Sequence, residues 1–111
     1  GLGIPAEPLF RSEKYGPFQL TLMECGQYDK RWPDIHMMPE EAVQAHHDLR
    51  GELMIPIHWA AFKLAPHGWR EPINRAVIAA KELHVKLATP RIGESVLISG
   101  DHYPATDWWN A

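Results

Sequence analysis

The sequence predicts an α/β fold in which short buried strands alternate with helices. Residues 18–25 begin with apolar and polar residues in alternation, and residues 53–57 are an apolar run of strand length. Residues 39–50 and 71–84 carry apolar side chains at helical spacing. With a short helix first and two short strands last, the predicted order is helix, strand, helix, strand, helix, strand, strand. This alternation favours parallel strands joined by right-handed crossovers.

The first strand begins after a short helix predicted over residues 6–15, which Gly16 and Pro17 end. Residues 18–25 begin with apolar and polar residues in alternation, which places Phe18, Leu20 and Leu22 on one face. Gly26 closes the strand, and a polar and aromatic loop runs to Met38. Loops of about a dozen residues in compact domains are usually functional.

The helix predicted over residues 39–50 starts with Pro39 and two acidic residues, which suit a helix N-terminus. We expect Gly51 to end it. Its apolar stripe includes His46, whereas His47 faces outward, so the sequence predicts a buried imidazole at His46.

The next strand stops at a histidine and a tryptophan. Pro56 has no amide hydrogen to donate, so we expect it at a sheet edge or where strand pairing ends. His58 then lies at the carboxyl end of the strand, where α/β proteins place their chemistry. A lone histidine here is also compatible with a structural, loop-capping role.

The remaining chain completes the predicted domain. A loop over residues 59–69 leads to the helix over 71–84, and short strands are predicted at 85–88 and 95–98. We predict a domain over residues 1–98 and a tail over 99–111. The tail carries Trp108 and Trp109 without periodicity, which favours a loose or interacting segment.

Composition narrows the function classes. The net charge is −3, and the chain has no run of lysine or arginine, which argues against nucleic acid as a partner. A single cysteine cannot form an internal disulfide, and no apolar stretch reaches membrane-spanning length. We therefore expect a soluble protein of the cytoplasm.

Seven histidines in 111 residues suggest metal binding. However, no two of them have the spacing that places two imidazoles on one cation from a single segment. His46 and His47 are adjacent and would point about 100° apart on a helix. The residues alone therefore do not define a complete metal site.

Four segments resemble one known family. They are Glu-Cys-Gly-Gln-Tyr at 24–28, Trp-Pro-Asp-Ile-His-Met-Met-Pro-Glu-Glu-Ala-Val-Gln-Ala-His at 32–46, Pro-Ile-His-Trp-Ala-Ala-Phe at 56–62 and Glu-Pro at 71–72. The chain resembles metallo-β-lactamase-fold hydrolases, in the branch of N-acylphosphatidylethanolamine-hydrolysing phospholipase D and relatives labelled outer membrane proteins. The resemblance covers about residues 6–97 and leaves membrane association open.

The resemblance implies a dinuclear zinc phosphodiesterase with an αββα sandwich fold, of which this chain is similar to the C-terminal half. It implies that His58 is a zinc ligand, that His36 faces the substrate phosphate, and that His46 supports the site from behind. The family's His-x-His-x-Asp-His and Gly-Asp-Thr-Gly segments are absent from these residues. Because a catalytic zinc needs about three protein ligands, we expect the chain alone to bind zinc weakly and to be inactive.

Two function classes therefore remain. The first is part of a zinc hydrolase that cleaves a small-molecule or phospholipid-like ester when joined to its missing N-terminal half. The second is a non-catalytic α/β interaction module. If the chain is half of a sandwich, one sheet face is bare, with Leu20, Leu22, Met54 and Ile55 among its residues, and a homodimer would cover it.

Overall fold

The computed structural model describes residues 13–61, 64–98 and 100–111. Three strands form one parallel sheet in the order β1 (Phe18–Glu24), β2 (Gly51–Ile57) and β3 (Lys86–Leu87). Helix α1 (Pro39–Asp48) connects the first two strands, and helix α2 (Glu71–Glu82) connects the last two. The predicted α/β class and the parallel arrangement are therefore confirmed.

Helix α1 starts where the sequence predicts, because Pro39 needs no donor in the first turn and the Glu41 carboxylate accepts the Met38 N–H at 3.0 Å. The predicted helix end is two residues too late, because the helix ends at Asp48. Arg50, rather than Gly51, takes the left-handed conformation with φ of 56°, and Gly51 is already the first residue of β2. A Cβ at position 51 would lie 2.5 Å from the His46 ring, so close packing explains this glycine.

The core lies between the sheet and the two helices. Met54 of β2 is fully buried with Val43 of α1 and with Ile73 and Ala76 of α2. The prediction that Met54 lies on the bare face is therefore wrong. Alternation along β1 places Leu20 and Leu22 on the opposite face, where Leu22 is 57% exposed.

Pro56 is buried in the central strand, paired in register with Met23 of β1. Pairing between β2 and β3 covers only Leu53 and Met54, so Pro56 lies beyond the point where that pairing ends. This is one of the two places predicted for it, since a proline cannot complete a ladder on both sides.

Two predictions near the C-terminus are wrong. Residues 95–98 are irregular, with Leu97 and Ile98 exposed. The tail is not loose, because residues 108–110 form a turn of 3₁₀ helix in which Trp109 is buried against the core. Of the helix predicted at 6–15, residues 13–15 are helical and residues 6–12 lie outside the described part of the chain.

Candidate metal centre

The carboxyl ends of β1 and β2 lie side by side. Glu24 pairs in register with Ile57, and the Cys25 N–H donates to the Ile57 carbonyl at 3.0 Å. Because the strands are parallel, the loops that follow them leave from the same edge of the sheet. This brings the loop that carries His36 next to His58, as the sequence predicts.

Three side chains meet at this edge: Glu24, His36 and His58. One donor atom from each lies within 4.8 Å of the other two, and among the described residues this is the group of histidine, cysteine and acidic side chains able to hold a metal ion. The rings of His36 and His58 stack with centroids 5.1 Å apart and planes 17° apart. Imidazole nitrogen and carboxylate oxygen form a donor set that suits zinc.

Glu24 uses both carboxylate oxygens to hold the loop. Its Oε1 accepts the Met37 N–H at 3.1 Å, and its Oε2 lies 3.2 Å from Nδ1 of His36. Both side chains of the Glu24–His36 pair are partly shielded from solvent. The strand end therefore determines where His36 lies, although His36 is twelve residues further along the chain.

His58 is exposed and has φ of 67°, in the left-handed region that few side chains adopt. Its backbone carbonyl lies against Gly26. A Cβ at position 26 would come within 2.1 Å of that oxygen, so only glycine allows the two loops to approach this closely. Such constrained backbone is typical of functional sites.

Glu24 was missed in the sequence analysis, which drew attention to the apolar residues of β1. A signal was present. The alternation that places Leu20 and Leu22 on one face places Glu24 on the same face, as the last residue of the strand. A carboxylate at that position, opposite the end of β2, is a candidate ligand or ligand partner.

The structure does not bring His46 to this cluster, and the expected position behind the site is wrong. His46 is buried as predicted, but its Nδ1 contacts Thr21 Oγ1 at 2.7 Å and its ring lies against Gly51. Helix α1 runs back along the sheet, so its last turn lies at the amino ends of the strands. Burial lowers the pKa of His46 to about 4.

A second network joins the two loops beside the cluster. Gln27 Oε1 accepts the N–H groups of Leu64 and Ala65, each at 2.9 Å, and the Gln27 N–H donates to Nε2 of His67 at 3.0 Å. The His67 ring stacks on Tyr28 with centroids 4.3 Å apart. His67 is thus partly buried, and its contacts join the loop after β1 to the loop after β2.

Tyr28 connects this network to both helices. Its hydroxyl donates to Glu71, and the Arg75 guanidinium lies 4.8 Å from the centre of its ring. Arg75 also forms an ion pair with Glu40 of α1 at 2.7 Å. Burial raises the pKa of Tyr28, so the phenol stays protonated and remains a donor.

An open cavity of about 600 Å³ lies beside these loops. Its wall includes Ala60, which follows His58 by two residues, and is mostly apolar. The cavity is lined by Gln27, Ala60, Ala61, Ala65, His67 and Trp69.

Residues 6–59, which include all the cluster residues, match a family described as a beta-lactamase superfamily domain. Among solved structures, the chain is similar to Igni18, a metallo hydrolase from Ignicoccus hospitalis, with a TM-score of 0.60 and 26% identity over 85% of this chain and 36% of that one. Both matches fit the metallo-β-lactamase superfamily. The three-stranded parallel sheet of this chain, with its flanking helices, corresponds to part of that fold.

The chain is also similar to several curated proteins. An uncharacterized Mycobacterium tuberculosis protein is 46% identical over 86% of this chain and 26% of the relative. Outer membrane protein RomA of Klebsiella pneumoniae is 43% identical over 54% of this chain and 51% of the relative. N-acyl-phosphatidylethanolamine-hydrolyzing phospholipase D 1 of Caenorhabditis elegans is 39% identical over 47% of this chain and 15% of the relative.

The chain thus spans about a quarter of the length of its mycobacterial relative and half that of RomA. Within the described residues, no helix is long and apolar enough to cross a bilayer.

Proposed function

We propose that this chain forms one side of the metal centre of a metal-dependent hydrolase, with His58 as a metal ligand. The observation that carries the proposal is the meeting of Glu24, His36 and His58 at the carboxyl edge of a parallel sheet. Such edges are the usual location of active sites in α/β proteins.

The donor chemistry fits zinc. Imidazole nitrogen is a common zinc ligand, and the exposed position of His58 leaves room for further metal ligands from outside this chain. A bound zinc ion would supply Lewis acidity and lower the pKa of a bound water. We propose two zinc ions in the complete domain, with the other ligands supplied by the rest of the protein.

Two histidines of this chain have different proposed roles. His58 binds the metal. His36, which Glu24 fixes beside His58, faces the substrate and can hold a proton. His46 has no contact with this cluster, so we assign it to the fold rather than to catalysis.

The proposed substrate is a phosphodiester or a related phospholipid-like ester. Support comes from the C. elegans relative, whose name describes a phospholipase D. The alternative of a non-catalytic interaction module loses one argument, because the two-tryptophan tail packs against the core instead of being available to a partner.

The test uses the protein encoded by the complete gene, assayed for zinc content and for hydrolysis of bis(4-nitrophenyl) phosphate. Removing even an outer partner of a metal ligand costs about 10–100-fold, so His58→Ala should lower activity by at least about 100-fold and reduce bound zinc. His84→Ala, at an exposed position outside the site, is the matched control. Full zinc content and activity in His58→Ala would refute the proposal.

A further inference from the structure

The contact between Glu24 and His36 determines which nitrogen of His36 carries the proton. An ionised carboxylate only accepts hydrogen bonds, so the 3.2 Å contact with Nδ1 requires the hydrogen on Nδ1. The other ring nitrogen, Nε2, then lies on the side of the ring away from Glu24.

The other oxygen of Glu24 is also occupied. Oε1 accepts the Met37 N–H at 3.1 Å, so the carboxylate contacts two adjacent residues of the loop: Met37 through its backbone and His36 through its ring. This double contact fixes both the position and the orientation of the His36 ring.

On the other side, His36 stacks on His58, with planes 17° apart. The ring is therefore held between a carboxylate at one edge and the proposed metal ligand across one face. Carboxylate–imidazole pairs of this kind fix the orientation and the tautomer of a histidine.

We infer that Glu24 is a positioning residue, which holds the His36 ring with a hydrogen on Nδ1 and against the proposed ligand His58. The competing arrangement has Glu24 and Nδ1 of His36 binding the metal directly. The two differ in a measurable way, because a nitrogen that binds metal cannot keep its hydrogen. The tautomer of His36 follows from its contact with Glu24 alone. The expected effect on catalysis rests on the proposed function.

The first experiment records side-chain ¹H–¹⁵N correlation spectra of the histidines, with and without added zinc. We expect His36 to show the Nδ1–H pattern in the wild type and to keep it when zinc is added. Glu24→Ala should lose this pattern, and Glu24→Gln, which retains one acceptor oxygen, should keep part of it. Glu52→Ala, at an exposed position of β2, is the control.

The second experiment measures kinetics of the complete protein. Glu24→Ala should lower kcat by about 10–100-fold with little change in KM or in bound zinc. Loss of zinc in Glu24→Ala together with loss of the Nδ1–H signal on zinc addition would show that Glu24 is a ligand and overturn the inference. An unchanged His36 spectrum in Glu24→Ala would overturn it as well. Absence of any zinc-dependent hydrolysis in the wild type would instead refute the proposed function.

Discussion

At the scale of single residues, His46 shows how far an apolar stripe can be interpreted. The stripe correctly predicts that the ring is buried, and it is 2% exposed. It does not predict which end of the sheet the ring reaches, because that depends on the direction in which helix α1 crosses the strands. The buried ring is therefore a determinant of stability at the end of the sheet opposite the proposed metal centre.

His46 should make stability depend on pH. Its pKa is about 4 in the folded chain against the usual value of 6.5, so between these values the unfolded chain binds a proton that the folded chain does not. The free energy of unfolding should fall as pH decreases from 6.5 to 4, by up to about 3 kcal/mol. Urea titrations across this range measure the fall.

His46→Gln, which can still form a hydrogen bond with Thr21, should flatten the dependence between pH 4 and 6.5. His102→Gln is the matched control, since that ring is exposed. Equal pH dependence in both variants would show that His46 is not the group responsible.

At the scale of helices and strands, local sequence patterns predict the first four elements well. Strands β1 and β2 and helices α1 and α2 all appear within a few residues of their predicted bounds, because each combines a clear periodicity with a proline or glycine at its end. The strand predicted at 95–98 is absent because a short apolar segment alone does not supply a neighbouring strand to pair with. The prediction of a loose tail is wrong because the packing of the tail depends on side chains distant in sequence.

The tail is held by specific contacts. The Trp109 indole N–H donates to Asn74 of α2 at 2.8 Å, and that of Trp108 donates to the Thr89 carbonyl at 3.0 Å. Both rings also pack against Trp59, the residue that follows His58. The tail therefore supports the loop that carries the proposed metal ligand.

Trp109→Ala should lower the free energy of unfolding by about 3–5 kcal/mol, the usual cost of emptying a buried tryptophan site. Trp69→Ala is the matched control, because Trp69 is 48% exposed, and it should cost much less. Chemical denaturation followed by circular dichroism compares them without relying on tryptophan fluorescence. Similar values for the two variants would show that the tail does not contribute to the core.

At the scale of the whole molecule, the resemblance and the residue patterns contribute different parts of the site. Strand ends and the parallel sheet predict that the loop of His36 meets His58, and the resemblance supplies the proposed roles of both. Neither predicts Glu24 or the Gln27–His67 contact. These depend on the exact path of two loops, and no periodicity describes such a path.

The sheet itself has one face covered by α1 and α2 and another on which Leu22 is 57% and Ile57 41% exposed. Burying apolar surface is worth about 25 cal/mol per Å², so this face favours association. In the complete protein we expect the remainder of the domain to cover it. In the isolated chain, a second copy pairing the same face is the expected substitute, since symmetric dimers bury one patch on both partners.

Sedimentation velocity at several concentrations should therefore show that the isolated chain self-associates. Leu22→Glu should shift the chain towards monomer, because it places a charge on the exposed face. Ile92→Glu is the matched control, since Ile92 is fully exposed in a turn away from the sheet. A stable, monodisperse 12.7 kDa wild-type chain would contradict the argument, because it would show that this face needs neither a second copy nor the rest of a sandwich to cover it.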